Sequence, residues 1–375
     1  MTLFDPAAFR IPVGVTHVCA GGQTPFLHRH DAALLRYAED KSTGSAGRAR
    51  QEAMVETIRA GMARLWHVGR GDIGIVSSVA EGVSMVADSI DWRDGDNICI
   101  DAFEYPSVVG PFAVRRNPHV ALRIASGTEP DRVAALVNDR TRLIAVSAVS
   151  YLTGERFDLT PLRAAADRVG ALLVVDYTQA SGYLPIDAAV ADFGFSACYK
   201  WMLGMTGLAI AYWNRDRQPG WTPASAGWYS FAAGTRSYEP VPGLRDDAMR
   251  FTRGNPAHAA AYVLKEALDF LSGFAMADIH RHVQTLTTSL LDQLAALQIP
   301  STTPRDPARH GASVCIATPR AAAIAEALND RGIYAWNGHG RVRISFHGYN
   351  SMADVDRVVE GLRAVWAEGT ASTAA

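Results

Sequence analysis

From about residue 48 onward, short runs of Val, Ile, Leu and Ala alternate with stretches whose apolar residues recur every three or four positions. Met54, Ile58, Met62 and Leu65 have the second spacing, which places them on one face of a helix over 48–66. The chain then predicts a strand at 73–77, a helix at 81–90 and strands at 97–101 and 120–124. A helix at 130–137, a strand at 142–147, a helix at 161–169 and a strand at 171–176 follow, and 193–198 and 208–213 read as two more strands. Val/Ile-rich strands that alternate with helices are buried on both faces. This indicates an α/β fold with a mainly parallel, seven-stranded sheet.

The flanks differ. Residues 1–46 are rich in Gly, His and Thr and read as an irregular arm. Residues 214–250 carry Pro, Gly, Trp and Tyr with little periodicity, so they predict a long loop of the kind that covers a site. Two long helices, 257–271 and 276–297, lead into a smaller α+β part: strand 313–317, helix 321–331, strand 341–346 and helix 352–366. The small, polar residues 367–375 read as a frayed tail. The expected division is an arm (1–46), a large domain (47–256) and a small carboxyl-terminal domain with its connecting helices (257–375).

Composition narrows the function. Among 375 residues, 36 Lys and Arg balance 38 Asp and Glu, so no basic excess is available for nucleic-acid phosphates or a charged membrane surface. No run approaches the ~20 apolar residues of a membrane-spanning helix. Met1-Thr2-Leu3-Phe4-Asp5-Pro6 lacks the basic and apolar regions of a signal peptide, so a cytoplasmic location is expected. Four cysteines, Cys19, Cys99, Cys198 and Cys315, form no CxxC pair, and neither a zinc site nor a disulfide framework is expected.

Chemistry concentrates between residues 172 and 213. The run Leu172-Leu173-Val174-Val175 ends in Asp176, followed by Tyr177-Thr178-Gln179-Ala180. A second run ends in Ser196-Ala197-Cys198-Tyr199 and delivers Lys200 just before Trp201-Met202-Leu203-Gly204. In open α/β sheets, ligands bind outside the carboxyl ends of strands, where both Asp176 and Lys200 fall. Burial lowers a lysine's pKa and makes its amine a nucleophile suited to Schiff-base formation. A buried Asp beside it suits an enzyme that keeps a pyridinium nitrogen protonated. Spacing alone fits equally well a lysine reaching solvent and an Asp capping the next helix.

The segments V-V-D-Y-T-Q-A, S-A-C-Y-K-W-M-L-G and G-L-A-I-A-Y-W resemble the class V aminotransferase family, fold-type I enzymes that use pyridoxal 5'-phosphate (PLP). The resemblance runs over roughly residues 15 to 366. Tyr199 resembles the kynureninase branch, since the cysteine desulfurase branch has His before the lysine. The resemblance implies that Lys200 forms the Schiff base, Asp176 pairs with the pyridine nitrogen, Gln179 bonds the phenolic oxygen and Tyr199 reaches the phosphate.

In I-V-S-S-V-A-E-G, the resemblance puts the phosphate on the backbone N–H groups of Val79 and Ala80, at a helix N-terminus. Both lack the Thr hydroxyl that many members carry there, and the segment alone also reads as an ordinary strand-to-helix turn. Tyr105, after Glu104, would stack on the cofactor ring. Tyr151 stands where desulfurases carry Asn, and would lie near the cofactor. Gly254 and Asn255, in R-G-N-P, match a turn that reaches across a homodimer to the neighbouring phosphate; by pattern alone this is a Gly-Asn-Pro turn before a helix. Arg343, in R-V-R-I-S followed by Y-N-S, would take the substrate α-carboxylate through its planar guanidinium. Arg341 shares its strand face, so alternation does not exclude it. Trp228 would line the substrate pocket or anchor the loop, and His17, Gly21 and Gly22 lie in an arm that often approaches the site in this family.

No cysteine stands shortly before the carboxylate arginine, where a desulfurase needs a mobile nucleophile. The resemblance therefore implies a homodimeric enzyme on an amino-acid substrate, foremost a lyase that cleaves a C–S or C–C bond. An aminotransferase or epimerase of the same fold is the alternative, and a non-catalytic binding protein on this scaffold is a further one.

Overall fold

The computed structural model describes residues 1–114, 120–235 and 243–371. Strand β1 (Thr16–His17) and helices α1 (Arg29–Lys41) and α2 (Gly44–Leu65) come first. Then follow β2 (Ile73–Val76), α3 (Val79–Ser89), β3 (Asn97–Asp101), α4 (Pro106–Ala113), β4 (Ala121–Ala125), β5 (Thr141–Ser147), α5 (Leu159–Val169), β6 (Leu172–Asp176), β7 (Phe193–Ala197) and β8 (Ala209–Trp213). Helices α6 (His258–Leu271) and α7 (Met276–Ala296) lead to β9 (Ser313–Ala317), α8 (Ala321–Asp330), β10 (Ile333–Tyr334), β11 (Trp336–Gly338), β12 (Arg341–Ser345) and α9 (Met352–Ala371).

Strands β2 to β8 form one seven-stranded sheet in the order β2-β8-β7-β6-β5-β3-β4. Only β8 runs against its neighbours; the other pairings are parallel. Period-two alternation sorts each strand between two layers. Ile144, Val146, Leu173 and Val175 pack with α2, α5 and α6, whereas Leu143, Ala145, Val174 and Phe195 pack with α3 and α4. Both faces are therefore covered, as the continuous apolar strands require.

A second, antiparallel sheet has the order β11-β12-β9, with a core shared by α7, α8 and α9. His339 (φ 50°) and Gly340 (φ 70°) form its two-residue turn, and two successive positive φ values suit the twist of a tight hairpin. The turn fixes the register, setting Gly338 opposite Arg341 and Trp336 opposite Arg343. The arm is tied to this layer, because β1 pairs in parallel with β10 and Cys19 bridges to Ser345.

Four expectations need correction. The arm is not irregular throughout: α1 covers thirteen of its residues, but it buries only His30 and Ala33 and so leaves almost no apolar stripe to read. The helix expected at 130–137 is instead turns around a short 3-10 stretch, Ala134–Leu136. There Arg132 is buried and donates to the Glu129 carbonyl and to Asp101 and Glu155, so side-chain bonds hold the segment. The carboxyl-terminal helix continues past 366 to Ala371, and 372–375, the rest of the expected tail, lie outside the described residues. The 214–250 stretch contains 3-10 turns at Trp228–Ser230 and Ala248–Phe251, while its 236–242 portion lies outside the described residues. Among the described residues, no helix is long and apolar enough to cross a membrane.

Candidate active site

Five parallel strands deliver polar residues to one place. Ser77 and Ser78 follow β2, Tyr105 follows β3, Ser147 ends β5, Asp176 ends β6, and Lys200 follows β7. Ser147 and Asp176 are register partners, so the strand ends are level. All of these residues border one cavity of about 250 Å³, together with Val79, Tyr151, Gln179 and Tyr199. A larger groove of about 780 Å³, bordered by Arg156, Asp158 and Arg309, contains none of the residues singled out from the sequence.

A constrained turn presents Lys200. Leu203 has φ 59°, unusual for a branched residue, at a strain of roughly 1–3 kcal/mol. The turn closes through Leu203 N–H to the Lys200 carbonyl (2.8 Å) and Gly204 N–H to the Cys198 carbonyl (2.8 Å). Thr24 of the arm adds a hydroxyl bond to the Lys200 carbonyl at 2.9 Å. Gly182, at φ 108°, allows the neighbouring loop to lie on this turn, because a Cβ there would come within 2.4 Å of the Trp201 backbone. The lysine is 7% exposed, and its Nζ is 5.5 Å from the Tyr105 ring centroid and 5.6 Å from that of Tyr199. Burial, helped by the positive charge of Arg343 and opposed by Asp176, pushes the amine down to about 8. About a tenth is thus the free, nucleophilic base at pH 7, against less than about a thousandth for an ordinary lysine.

Asp176 is buried and accepts the Thr178 N–H at 2.8 Å. Burial raises its carboxyl above the ordinary range, against the pull of Thr178 and Lys200. Thr178 is fixed in turn by the Ala197 N–H, which donates to its hydroxyl at 2.9 Å. Gln179 donates from Nε2 to the Gly21 carbonyl at 3.0 Å. Glu104 ties the Tyr105 turn to β5 by accepting the N–H groups of Ser147 (2.6 Å) and Tyr105 (2.7 Å). Desolvation pushes Glu104 up to about 7, with the nearby Asp176 charge adding to it.

At the start of α3 the Ser78 hydroxyl accepts the Glu81 N–H. The N–H groups of Val79 and Ala80 have no acceptor among the described residues, so the start of α3, where Ser78 and Val79 border the cavity, has two free donors.

Arg343 is 2% exposed, and its Cζ lies 4.3 Å from the Trp336 ring centroid. One Nη donates to the Tyr151 carbonyl at 2.8 Å, while Nε is buried without a partner. No carboxylate among the described residues pairs with it. A buried, unpaired cation is costly unless an anion reaches it, and a planar guanidinium suits a carboxylate. Tyr151 stands between the two layers: its ring meets that of Tyr105 edge-on at 4.9 Å.

Gly254, Asn255 and Trp228 are not brought to Lys200. Trp228 is 58% exposed and borders a separate surface depression with Arg48, Glu52 and Asn255. Glu104, Thr178, Ser147, Thr24 and Cys19 had no role assigned from sequence. Glu104 and Thr178 at least lie inside the quoted motifs, whereas Thr24 and Cys19 reach the site only through long-range folding. The Cys19 thiol is raised by burial, which the positive charges of Arg343 and Lys200 partly offset.

Comparison with known proteins gives this site its context. The profile of the family described as Aminotransferase class-V matches residues 30–358. The cysteine desulfurase of Pectobacterium atrosepticum is 26% identical over 371 residues, covering 90% of this chain and 88% of its own. An uncharacterized aminotransferase, YcbU, of Bacillus subtilis is 24% identical over 314 residues, covering 82% and 83%. Among solved structures, a C-DES mutant with glycine covalently linked to the PLP cofactor superposes with a TM-score of 0.86 at 21% identity, over 96% of this chain and 99% of that one. The cysteine desulfurase of Thermococcus onnurineus NA1 gives 0.84 at 20% identity, over 94% of both chains. The chain belongs to the class V aminotransferase family, has the fold-type I architecture and is a pyridoxal 5'-phosphate-dependent enzyme.

Proposed function

We propose that the protein is a lyase that cleaves a C–S bond in an amino-acid substrate, with Lys200 as its acid–base residue and Arg343 as its carboxylate receptor. The observation that carries this reading is the pairing of a buried lysine, its amine lowered to about 8, with a buried arginine that no acid among the described residues neutralises. The residues present fit the cofactor. The Lys200 amine, the Asp176 carboxylate, the free N–H groups of Val79 and Ala80 and the Tyr105 ring would hold its aldehyde, ring nitrogen, phosphate and ring face. Gln179, whose amide has one N–H on Gly21, keeps a second for the phenolic oxygen, and Tyr199 stands beside the lysine. When bound, the cofactor supplies an electron sink for the substrate's α-carbon.

The chain's own residues then have distinct tasks. Arg343 binds and orients the α-carboxylate. Lys200 Nζ takes the proton from Cα and holds it, and the β-sulfur group leaves with the electron pair of the C–S bond. Tyr105 and Tyr151 narrow the cavity and exclude water. The branch follows from the thiols. Burial raises Cys198 and Cys315 above the ordinary thiol range, to about 11 for Cys315, so neither is an activated nucleophile. Similar proteins include cysteine desulfurases and a cystine C–S lyase with cysteine persulfide as its product, which supports C–S over C–C cleavage.

Two copies are proposed to complete the assembly, because Gly254 and Asn255 lie on the surface, away from their own chain's Lys200. Light scattering showing a fully active monomer would overturn this.

The test is the visible spectrum before and after borohydride. A band that borohydride abolishes, with the label mapped to Lys200, establishes the Schiff base; a label on another lysine removes the reading. A second reading, persulfide formation on the enzyme, rests on the proximity of Cys19 to Arg343 and Lys200. Cys19→Ala separates the two: less than a twofold change in turnover supports elimination, and loss of activity supports the second reading.

A further inference from the structure

Arg343 does not stand alone. Arg341, two residues earlier on β12, lies on the same strand face. Its guanidinium extends to the large-sheet layer, where Cζ lies 5.1 Å from the ring centroid of Phe103, in the same turn as Tyr105. One Nη donates to the His339 carbonyl at 3.2 Å, and Nε is buried without a partner, as it is in Arg343. Among the described residues, no carboxylate pairs with either arginine. Each guanidinium instead lies over a different aromatic ring, Trp336 for Arg343 and Phe103 for Arg341, which spreads the two charges apart. The ring of Tyr151 lies near both, meeting Tyr105 on one side and His339 on the other at 6.0 Å. Arg343 is fully buried and Arg341 half-buried, so the pair forms an inner and an outer cationic position on one strand face.

Two like charges two residues apart repel each other, and desolvation penalises both. A single α-carboxylate satisfies one guanidinium fork. We propose that the substrate carries a second oxyanion at the end of its side chain, a carboxylate or a sulfur oxyacid, and that Arg341 receives it. This rests on the reading above, in which Arg343 takes the α-carboxylate. It assigns Arg341 as the residue that selects anionic over neutral side chains.

The test titrates the holoenzyme with L-aspartate, L-cysteate and the neutral L-asparagine, reading dissociation constants from changes in the visible band. The expected result is at least tenfold tighter binding of one or both acids than of L-asparagine. Preference for L-cysteate alone assigns the second group as a sulfur oxyacid; preference for L-aspartate alone assigns a carboxylate. Arg341→Gln should reduce the preference to within threefold and leave L-asparagine binding unchanged, and Arg341→Lys should restore part of it. Equal binding of acids and amide by the unaltered enzyme overturns the proposal, as does equal weakening of all three ligands in Arg341→Gln. Should that variant fail to fold, the melting temperature of the unaltered holoenzyme decides: maleate must stabilise it more than acetate at equal ionic strength, and equal shifts overturn the proposal. Arg343→Gln tests the underlying reading separately, because unchanged L-asparagine binding there refutes the α-carboxylate role whatever Arg341 does.

Discussion

Two buried arginines, Arg132 and Arg343, occupy opposite kinds of surroundings. Arg132 donates to Asp101 at 2.8 Å, to Glu155 at 2.7 Å and to the Glu129 carbonyl at 2.9 Å, and it lies over the Phe157 ring. Glu155 gains a second cation in Arg309 at 2.7 Å. Arg343 is more deeply buried, yet among the described residues it has one hydrogen bond and no acid. The first site neutralises its charge within the chain, so its product is shape: it holds the 129–136 segment against the end of β3 and the turn that follows β5. The second, in the proposed function, keeps its charge for a molecule from outside. Burial alone does not mark a functional site; burial without a partner does.

The largest effect belongs to the lysine beside Arg343. Lys200→Ala should lower turnover by roughly 10²–10⁴-fold, the range for a positioned acid–base group, with unfolding by urea little changed. A variant within tenfold of the parent enzyme would remove Lys200 from the chemistry.

Next comes the structural arginine. Arg132→Met leaves Asp101 and Glu155 without their central cation and should destabilise the protein by about 3–5 kcal/mol in urea unfolding. Kinetic constants per folded molecule should stay the same. Arg343→Met should do the reverse, weakening substrate binding by about 1.5–3 kcal/mol, roughly 10–150-fold in KM. Its stability should be unchanged or higher, because an unpaired buried charge is gone. If Arg343→Met is the less stable of the two, the contrast drawn here fails.

The smallest effect is on pH. Lys200 is lowered from its ordinary range to about 8, so its free amine is lost as pH falls through that value. Trapping of added cofactor by the cofactor-free protein should rise with pH up to about 8 and then level off. The unfolded chain keeps the lysine protonated at higher pH, so this residue's contribution to stability also grows as pH rises through 8. A trapping rate that still climbs steeply above pH 9 would show that the amine is not lowered.

The large sheet was legible because its strands are buried on both faces and announce themselves as apolar runs. Asp176 and Lys200 were legible because each interrupts such a run at its carboxyl end. Helix α1 was not, because it buries only His30 and Ala33. The Arg132 network was hidden too, since it joins residues 31 and 23 positions away by side chains alone. The contacts of Gly21 with Gln179 and of Thr24 with Lys200 span more than 150 residues, and no local spacing encodes them. Sequence alternation left Arg341 and Arg343 equivalent; the structure separates them by depth.

The pairing of β1 with β10 bears on how the molecule is made. Thr16 and His17 lie against Ile333 and Tyr334, so residues near the start of the chain wait for a strand made near its end. During synthesis the large sheet can form first, with Lys200 and Asp176 already in place. Gly21 and Thr24 can then meet Gln179 and Lys200, but the Cys19 bridge to Ser345 cannot form until about residue 345 has left the ribosome. Contacts of such long range form slowly, because a large loop must close before they form. The nascent protein therefore passes through a stage with Lys200 and Asp176 in place but β1 and Cys19 still without their strand partners.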